Sequence, residues 1–427
     1  MSIYQALYAS VNGINANGAV TALIGDNISN VNTTGFKSTR AEFSDIVAGD
    51  TKLSGLGARV SGTRTYFSQG GFEATTSVTD LAIDGEGFFQ VNDFINQRML
   101  YTRAGQYNIN EDGYLVTQEG YRLRGFDVTA DNSTITAEQV DFQFTFEPVP
   151  PRATTTIDIS SNLISSATTP AAFDVTDPVL TSNYSAGISV FDSLGQSHLV
   201  TMYFRNNGAV AGPPAGEQWE YFAVCDADDI TGATVAQIEA NGTLLFNSNG
   251  ALVSVASTTN DFDFVDATQS QVIDFDFGTN TTTGSGMDGM TSFGTASTLN
   301  RISQDGYSPG VLSTIEIGTD GVIVGNYTNA TRLTLGQVGV ALFADNQGLR
   351  RVGGNGFAET LTSGVPLFSA PQTGGRGQLL SATLEQSNVD LANELIKLVV
   401  IQRGFQANTR TISVVNELLG SLVSLGG

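Results

Sequence analysis

Apolar residues recur every seven positions near the C-terminal end of the chain. The heptad positions are Leu384, Leu391, Leu398, Phe405, Ile412 and Leu419, with Leu395, Ile401, Val415 and Leu422 beside them. An apolar period of seven, held over about five repeats without a proline, is typical of a helix in a coiled coil. Asn388 and Asp390 lie at the front of this segment, where Asx side chains cap helices. The pattern therefore predicts a C-terminal helix with one apolar seam.

The N-terminal end repeats this pattern more weakly. Leu7, Ile14, Thr21 and Ile28 are seven residues apart, with Ile3, Val11, Ile24 and Val31 beside them. Gly13, Gly18 and Gly25 interrupt the segment, and each costs a helix up to about 1 kcal/mol relative to alanine. We expect a helix that is marginal alone and forms when it is packed. Both terminal helices can be read as ordinary core helices, but the strict period at both extreme ends favours a seam for assembly.

From about Gly35 onward the apolar period changes to two, the period of a β-strand. Residues 81–84 and 88–91 read as two strands around a Gly85–Gly87 turn, and residues 243–253 and 314–324 read as hairpins around glycine-containing turns. Phenylalanines and isoleucines alternate with acids between residues 262 and 277, which predicts strands with one solvated face. The middle of the chain is therefore expected to be all-β.

Charge divides the β-rich middle in two. Residues 151–300 contain 16 acidic residues but only Arg152 and Arg205, a local net charge of −14. Proline-rich residues 148–151 and the Gly/Ser/Thr-rich residues 279–286 mark boundaries. We predict a mixed, multidomain fold in which an outer β domain is inserted into an inner one. Its parts are a terminal coiled-coil core (1–34 with 384–427), a connecting region (35–74 with 362–383), an inner β domain (75–149 with 300–361) and an outer acidic β domain (150–299).

The bulk charge and the lack of a long apolar segment argue against two classes of partner. The formal net charge is −23 over 427 residues, with a pI of about 4.2. Nucleic-acid binding needs a Lys/Arg-rich surface, so nucleic acid is not expected as a partner. No segment approaches the ~18 apolar residues of a membrane span, so membrane insertion is not expected either. The first 25 residues contain no Lys or Arg, and we expect no cleaved signal peptide.

Few residues are available for catalysis or metal binding. The chain has one histidine, His198, and one cysteine, Cys225, so it lacks the ligands of a common zinc site. His198 lies at the start of a strand and is predicted to have a structural surface role. Asp226, Asp228 and Asp229 lack the spacing of a calcium loop and are predicted to form a solvated acidic loop. We therefore predict a non-enzymatic protein with no catalytic, cofactor-binding or metal-binding residues, although sequence alone leaves a two-carboxylate glycosidase open.

Two terminal motifs resemble those of a known family. The segment 27–37 (NISNVNTTGFK) resembles the N-terminal motif of bacterial flagellar rod and hook proteins, and segments 384–391 (LEQSNVDL) and 402–408 (QRGFQAN) resemble their C-terminal motif. Segment 79–89 (TDLAIDGEGFF) matches the start of the family's β domain. The positions that carry the terminal resemblance are Asn27, Asn30, Gly35, Phe36, Lys37, Asn388, Asp390, Gln402, Arg403 and Asn408. Gly404 departs from the family pattern, which usually has alanine or a similar residue there.

Further segments resemble the hook branch of that family. Residues 191–196 resemble part of an outer domain, and residues 304–310 with 317–321 resemble the return into the inner β domain. Residues 335–342 and 353–355 fit the same branch. Distal rod members are much shorter and lack the acidic insert. The resemblance covers nearly the whole chain and is weakest at residues 205–300.

The resemblance implies a structural subunit of the extracellular flagellar hook, at the base of the flagellum. Such subunits polymerise into a curved hollow tube that acts as a universal joint between rod and filament. The implied partners are other copies of the chain, the distal rod, hook cap and hook–filament junction proteins, and the flagellar export apparatus. The assembly seam would comprise Leu7, Ile14, Ile28, Leu384, Leu391, Leu395, Leu398, Phe405, Ile412 and Leu419. A distal rod subunit and an extracellular carbohydrate-binding or carbohydrate-cleaving β protein remain as alternatives.

Overall fold

The computed structural model describes residues 3–47, 55–129, 134–144, 147–211 and 215–425. The chain forms two compact units. The first unit comprises residues 1–146, 314–326 and 332–427, and the second comprises residues 147–313 and 327–331. Both ends of the chain therefore belong to the first unit, which we call the terminal unit, and the acidic middle belongs to the second, which we call the acidic unit.

Two long helices lie at the chain ends. Helix α1 spans Ile3–Ser29 and helix α2 spans Leu391–Leu425. Short 3₁₀ turns occur at Ala227–Asp229 and Asn346–Gly348. Neither long helix combines the length and apolarity needed to cross a membrane, as far as the described residues show.

Between the helices the chain is β-structure. The strands that precede the acidic unit are β1 (Thr39–Asp45), β2 (Ala58–Thr65), β3 (Phe72–Ala74), β4 (Leu81–Asp84), β5 (Phe88–Asp93), β6 (Arg98–Thr102), β7 (Asn108–Ile109), β8 (Leu115–Val116), β9 (Arg122–Val128) and β10 (Ile135–Asp141). Those of the acidic unit are β11 (Thr156–Ile164), β12 (Tyr184–Phe191), β13 (Ser197–Val210), β14 (Gly216–Cys225), β15 (Gln237–Phe246), β16 (Leu252–Phe262), β17 (Gln271–Val272), β18 (Asp274–Asp276), β19 (Thr291–Phe293) and β20 (Thr298–Gln304). The remaining strands are β21 (Leu312–Ile317), β22 (Val322–Tyr327), β23 (Arg332–Val338), β24 (Val340–Leu342), β25 (Arg350–Gly353), β26 (Gly356–Ala358), β27 (Leu367–Ser369), β28 (Gln378–Ser381) and β29 (Thr383–Glu385).

The terminal unit is built on one large sheet assembled from both halves of the chain. Its main path runs β21-β22-β23-β9-β5-β6-β26-β25, and β7, β8, β10, β24 and β27 pair at its sides. Three separate ribbons, β1-β2, β28-β4 and β29-β3, complete the β-structure of the unit. The core beneath the sheet includes Leu81, Phe89, Tyr107, Leu123 and Val338, all essentially inaccessible to solvent.

The acidic unit contains a six-stranded antiparallel sheet in the order β12 to β17. A smaller four-stranded sheet has β11 at its centre, with β18, β19 and β20 as neighbours. The core is large and aromatic, and Trp219, Tyr221, Phe246, Phe262 and Phe264 are all at most 1% exposed. The alternation of apolar and acidic residues predicted at 262–277 is confirmed, because the apolar members face this core.

Two of the three predicted strand pairs are hairpins. β15 and β16 pair antiparallel around the turn that ends at Gly250, and β21 neighbours β22 across the turn at Gly321. Both glycines have positive φ, +78° and +82°. The pair predicted at 81–91 is wrong as a hairpin: β4 pairs with β28 from the other half of the chain, and β5 joins the large sheet. The Gly85–Gly87 turn exists, with φ of +115° and +125°.

His198 is buried, so its predicted surface position is wrong. The residue is 4% exposed, and its ring stacks on Phe264 with 4.3 Å between centroids. Nδ1 lies 2.9 Å from Oδ1 of Asp229, and Nε2 lies 3.2 Å from Oδ2 of Asp192. Strand β13 alternates inward and outward, and His198 falls on the inward side. Its role is structural, because it joins the β12–β13 hairpin to the 3₁₀ turn that carries Asp229.

Candidate assembly site at the chain ends

The two terminal helices pack against each other in antiparallel register. A Cβ atom on Gly13 would lie 2.5 Å from Nδ2 of Asn408, and one on Gly404 would lie 3.2 Å from Nδ2 of Asn17. Farther along, the Asn27 amide reaches the carboxylate of Glu394 at 3.4 Å. The three contacts share one register. Gly404, the departure from the family pattern, therefore faces Asn17 of α1.

The predicted seam is only partly covered in the single chain. Of the side chains described in α2, only Glu394 and Val415 are buried. Leu391, Leu395 and Phe405 are 43–47% exposed. The other helical members of the predicted seam are half-buried, namely Leu7, Ile14, Ile28, Leu398, Ile412 and Leu419. The side chains of Ile3 and Leu422, also predicted as apolar positions, lie outside those described.

Leu384 does not belong to the helical seam. It lies in β29, which pairs antiparallel with β3, and it is buried at 8% exposure. Asp390 begins α2, because its carboxylate accepts a hydrogen bond from the backbone N–H of Asn393 at 3.1 Å. The heptad period continues upstream of that cap by coincidence. The predicted capping role of Asp390 is confirmed.

Asn27 anchors the last turn of α1 to strand β1. Its Oδ1 accepts from the backbone N–H of Thr39 at 3.0 Å, and its Nδ2 donates to the Thr39 carbonyl at 2.9 Å. Asn27 is 1% exposed, so both polar ends of the amide are satisfied inside the protein. The Asn27 amide thus makes the pair of hydrogen bonds to Thr39 that a neighbouring strand would make. These bonds hold the start of β1 beside the last turn of α1.

A buried ion cluster joins the two family motifs. The carboxylate of Glu385 bonds through Oε1 to the Nζ of Lys37 and through Oε2 to Nη1 of Arg103 at 3.2 Å. Oε1 also accepts from the Gly70 backbone N–H at 2.9 Å, and Lys37 donates to the Ser68 carbonyl at 2.9 Å. The side chains of all three ions are at most 3% exposed. Burial lowers the pKa of Lys37 from its ordinary value, and Glu385 opposes that effect.

Gly35 and Phe36 bring the N-terminal motif into this cluster. Gly35 has φ of +68°, and a Cβ atom there would lie 2.5 Å from the backbone of Arg103 and Ala104. Only glycine fits this approach without strain. Phe36 is 2% exposed beneath the guanidinium of Arg351, whose carbon lies 5.0 Å from the ring centre.

Asn388 fastens the C-terminal motif to the same region. Its Oδ1 accepts from the Ser38 backbone N–H at 2.7 Å. Its Nδ2 donates to the carbonyls of Tyr66 at 2.8 Å and Ser68 at 3.0 Å. Asn388 therefore ties the segment before α2 to both flanks of the β1–β2 ribbon. We call the set Asn27, Lys37, Arg103, Glu385 and Asn388 the polar junction.

The remaining motif residues lie outside the polar junction. Asn30 closes the end of α1, where its Nδ2 donates to the Asp26 carbonyl at 2.8 Å. Asn408 faces Gly13, as described above, and Gln402 and Arg403 are exposed on α2. The motifs thus contain two kinds of residue: those that complete the fold of the terminal unit and those that the single chain leaves free at its surface.

Sequence reasoning missed Glu385, Arg103 and Glu394 as parts of this site. The sequence did contain one indication of the ion cluster. Only 14% of residues are charged, yet Lys37 and Glu385 each lie within a matched motif. No sequence pattern marked Arg103, because its contact with Glu385 depends on where the fold places the end of β6. No cluster of three or more His, Cys, Asp or Glu side chains able to hold a metal occurs in the ranges that the structure covers.

Three family models match the chain. Residues 82–162 match "Flagellar hook protein FlgE/F/G D1 domain", residues 159–307 match "Flagellar basal body protein FlaE D2 domain", and residues 380–425 match "Flagellar basal body rod FlgEFG protein C-terminal". These matches lie in both units and include all of α2.

Similar proteins match over the full length. The "Flagellar hook protein FlgE" of Escherichia coli is 33% identical over 99% of this chain and all of its own length. The protein of the same name from Salmonella typhimurium is 34% identical over the whole of both chains. The crystal structure of Helicobacter pylori flagellar hook protein FlgE2 superposes with a TM-score of 0.55 at 15% identity, covering 72% of this chain and 98% of that one.

Proposed function

Because the chain belongs to the flagellar hook protein family, we infer that it is a structural subunit of the bacterial hook and resides in the flagellum. The observation that carries this conclusion is similarity at 33–34% identity from one end of the chain to the other, with hook proteins that are also matched over their whole length. Full-length agreement favours neither a distal rod subunit nor a carbohydrate-binding or carbohydrate-cleaving protein. The chain acts by assembling with copies of itself.

The terminal helix pair is the part that we propose forms the core of the assembled tube. α2 leaves a row of aliphatic side chains in solvent, with Ile396, Val399 and Val400 51–63% exposed beside Leu391 and Leu395. Burying apolar surface stabilises by roughly 25 cal/mol per Å². Neighbouring copies supply the cover, and the heptad period lets α1 and α2 pack as a coiled coil with them.

Helix order and assembly are coupled in this proposal. Three glycines weaken α1, and a helix gains most of its stability from packing of its apolar face. A subunit in transit is therefore easily kept unfolded at its ends, as the flagellar export apparatus requires. Export without a cleaved signal, and contact with the rod, cap and junction proteins, are proposed on the same basis.

The polar junction transmits force between the helix pair and the β-structure of the terminal unit. Torque carried by a hook must pass from the tube core to the β domains without unfolding the connection. Asn27 holds the end of α1, Asn388 precedes α2, and the Glu385 cluster joins both segments to β6. Six or more directional bonds at one point resist rotation better than an apolar contact, which can slide.

The acidic unit is proposed as the outer part of a curved, hollow tube that acts as a universal joint. Bending requires neighbouring subunits to slide, and the surface chemistry of this unit suits exchangeable polar contacts. Its sequence region carries a net charge of −14, which discourages lateral association of tubes. We propose that it was inserted between the two halves of the inner β domain, as the division of the chain into units suggests.

Limited proteolysis of monomer and tube tests the coupling of helix order to assembly. We expect rapid cleavage in α1 and α2 of the monomer and protection of both helices in purified hooks, because their apolar faces are covered only there. Cleavage within β13–β16 serves as the internal control and should be slow in both states. Equal protection of the helices in monomer and hook would contradict the coupling.

A further inference from the structure

Six asparagines of this chain are followed by glycine. They are Asn12, Asn17, Asn207, Asn241, Asn249 and Asn355. An asparagine in this position loses its side-chain amide without an enzyme more readily than other asparagines, because glycine has no side chain to obstruct attack by its backbone nitrogen. The reaction also needs a side chain that is free to turn and a backbone that is free to open. The fold therefore decides which of the six asparagines reacts.

Two of the six lie inside helix α1. The backbone N–H groups of Gly13 and Gly18, which would have to attack, belong to the hydrogen-bonded ladder of that helix. Asn12 also donates from Nδ2 to the Leu56 carbonyl at 2.9 Å. Reaction at Asn12 or Asn17 thus requires α1 to unwind, and its rate would report the order of the helix.

Three others lie in β-structure and have side chains that are already hydrogen-bonded. Two are within strands, and Asn355 lies at the tip of the β25–β26 hairpin. The partners are Arg205 and Gln218 for Asn207, Thr259 for Asn241, and the Thr34 carbonyl for Asn355, at 2.9–3.3 Å. Each of these bonds must break before the side chain can turn toward the nitrogen of the next residue.

Asn249 differs from the other five asparagines. It is exposed at the tip of the β15–β16 hairpin, and its side-chain amide has no hydrogen bond within the described part of the chain. Only the turn itself is bonded: the Asn249 N–H donates to Oδ1 of Asn247 at 2.9 Å, and the Gly250 N–H donates to the Asn247 carbonyl at 2.9 Å. Opening this one turn frees the Gly250 nitrogen, and exposed loop tips open more readily than the interior of a sheet.

We propose that Asn249 is a site of spontaneous conversion to aspartate and isoaspartate in the folded chain. The Gly250 nitrogen attacks Cγ of Asn249, so that an N–Cγ bond forms and the Cγ–Nδ2 bond breaks. The proton of the Gly250 N–H leaves with the amide nitrogen as ammonia, and a cyclic imide remains. Water then cleaves the imide at Cγ to give aspartate, or at the backbone carbonyl carbon to give isoaspartate. No oxidant or reductant takes part.

The product changes the charge and the backbone of this hairpin. Either product adds a carboxylate to the region that already carries a net charge of −14, and isoaspartate also lengthens the main chain between β15 and β16 by one carbon. Because the tip is exposed and outside the aromatic core, the acidic unit should stay folded. Modified subunits would accumulate with the age of a hook, and this consequence alone rests on the proposed function.

Peptide mass spectrometry of the purified, folded chain tests the proposal. The chain is kept in mildly alkaline buffer, which favours loss of the Gly250 proton, and samples are digested over several days. Peptide mass gives the extent of conversion, and fragment ions distinguish isoaspartate from aspartate. The matched control is Asn355, which also precedes glycine at a hairpin tip but has a bonded side chain. Since a hydrogen bond contributes about 1 kcal/mol, Asn249 should react at least roughly fivefold faster than Asn355.

Two further measurements show whether the fold and the imide are responsible. In denaturant the rates at Asn249 and Asn355 should converge, because the protecting bond is lost. In the variant Asn249→Gln the corresponding peptide should stay unchanged, because its longer side chain closes a less favourable ring.

The proposal and the proposed function fail on different results. Equal rates at Asn249 and Asn355 in the folded chain, an equally large difference in denaturant, or earlier conversion at Asn207 or Asn241 would overturn the proposal. Aspartate formed without isoaspartate would also overturn it, because the imide gives both. None of these results bears on hook membership. Absence of the chain from sheared hooks would instead refute the proposed function and leave the chemistry of Asn249 unaffected.

Discussion

Helix α2 and strand β15 differ in how far the single chain buries their apolar residues. In β15 the inward residues Ala240, Leu244 and Phe246 are inaccessible to solvent, and the strand alternates regularly between buried and partly exposed positions. In α2 the apolar residues Ile396 and Val400 are more than 60% exposed. Both segments have a clear hydrophobic period. Only in the strand does the single chain provide the surface that the period requires.

This difference locates two sources of stability. The acidic unit buries its aromatic core on folding and therefore holds its structure as a monomer. The helix pair retains exposed apolar faces, and we propose that much of its stability is gained when copies assemble. In the proposed hook, this separation would order the chain ends where copies meet.

The substitution with the largest expected effect changes the exposed apolar face of α2. Leu395→Asp places a carboxylate on an apolar side-chain position that is 47% exposed in the monomer and that we propose is covered in the tube. An unpaired charge in an apolar contact is costly, so we expect loss of tube formation. The monomer should keep its helix content, since an acid near a helix N-terminus is tolerated or favourable. Electron microscopy of salt-induced polymers and circular dichroism of the monomer measure the two effects.

The matched control for that variant is Gln406→Asp, which adds the same charge at an exposed polar position of α2. It should assemble with at most a small delay. Tubes of normal length from Leu395→Asp would show that the predicted seam does not line the assembled core, and failure of both variants would trace the effect to net charge.

The next effect concerns the polar junction between the helix pair and the β-structure of the terminal unit. Glu385→Ala leaves Lys37 and Arg103 buried without their counter-ion, and removal of one partner from a buried ion pair typically costs about 3–5 kcal/mol. We expect a lower unfolding midpoint for the terminal unit and an unchanged midpoint for the acidic unit. Denaturant unfolding followed by circular dichroism and by the fluorescence of Trp219, the single tryptophan, distinguishes them.

Glu316→Ala is the comparison for that measurement. Its partner Arg332 lies 2.7 Å away, and both side chains are at least 60% exposed, so the loss should stay within about 1 kcal/mol. If Glu385→Ala cost no more than Glu316→Ala, the polar junction would not hold the helix pair to the β-structure.

The sequence predicted the elements better than the connections between them. The helices at both ends, the all-β middle and the cap at Asp390 follow from local patterns that depend on neighbouring residues. The pairing of β4 with β28, nearly 300 residues apart, does not, because strand pairing is decided by the whole core. Leu384 shows the same limit: its spacing fits the helix, but β3 provides a strand partner before the helix begins.

In the candidate site, too, the residues were predicted better than the contacts between them. The motif residues were recognised from resemblance, but their bonds were not. Asn27 and Asn388 gave no local sign that each would serve a strand elsewhere in the chain. His198 was misplaced because one turn residue was judged without knowing that Phe264 would cover it. The coiled coil and the seam stay predictions that concern the polymer, and the four predicted domain ranges stay predictions about the chain itself.

The smallest expected effect comes from replacing two glycines of α1, Gly13 and Gly18, by alanine. Gly13 and Gly18 are both helical, and alanine at either position raises intrinsic helix stability by up to about 1 kcal/mol. Beyond the backbone of its own helix, a Cβ atom at Gly18 has no neighbour within 4 Å among the described residues, whereas one at Gly13 would lie 2.5 Å from the Asn408 amide. Gly18→Ala should therefore raise the helix content of the monomer, measured by circular dichroism at 222 nm. Gly13→Ala should gain less, because Asn408 must move and the close approach of α2 is lost. Equal gains would mean that α1 and α2 do not meet at Gly13 in solution, and the helix pair would then form only within the hook.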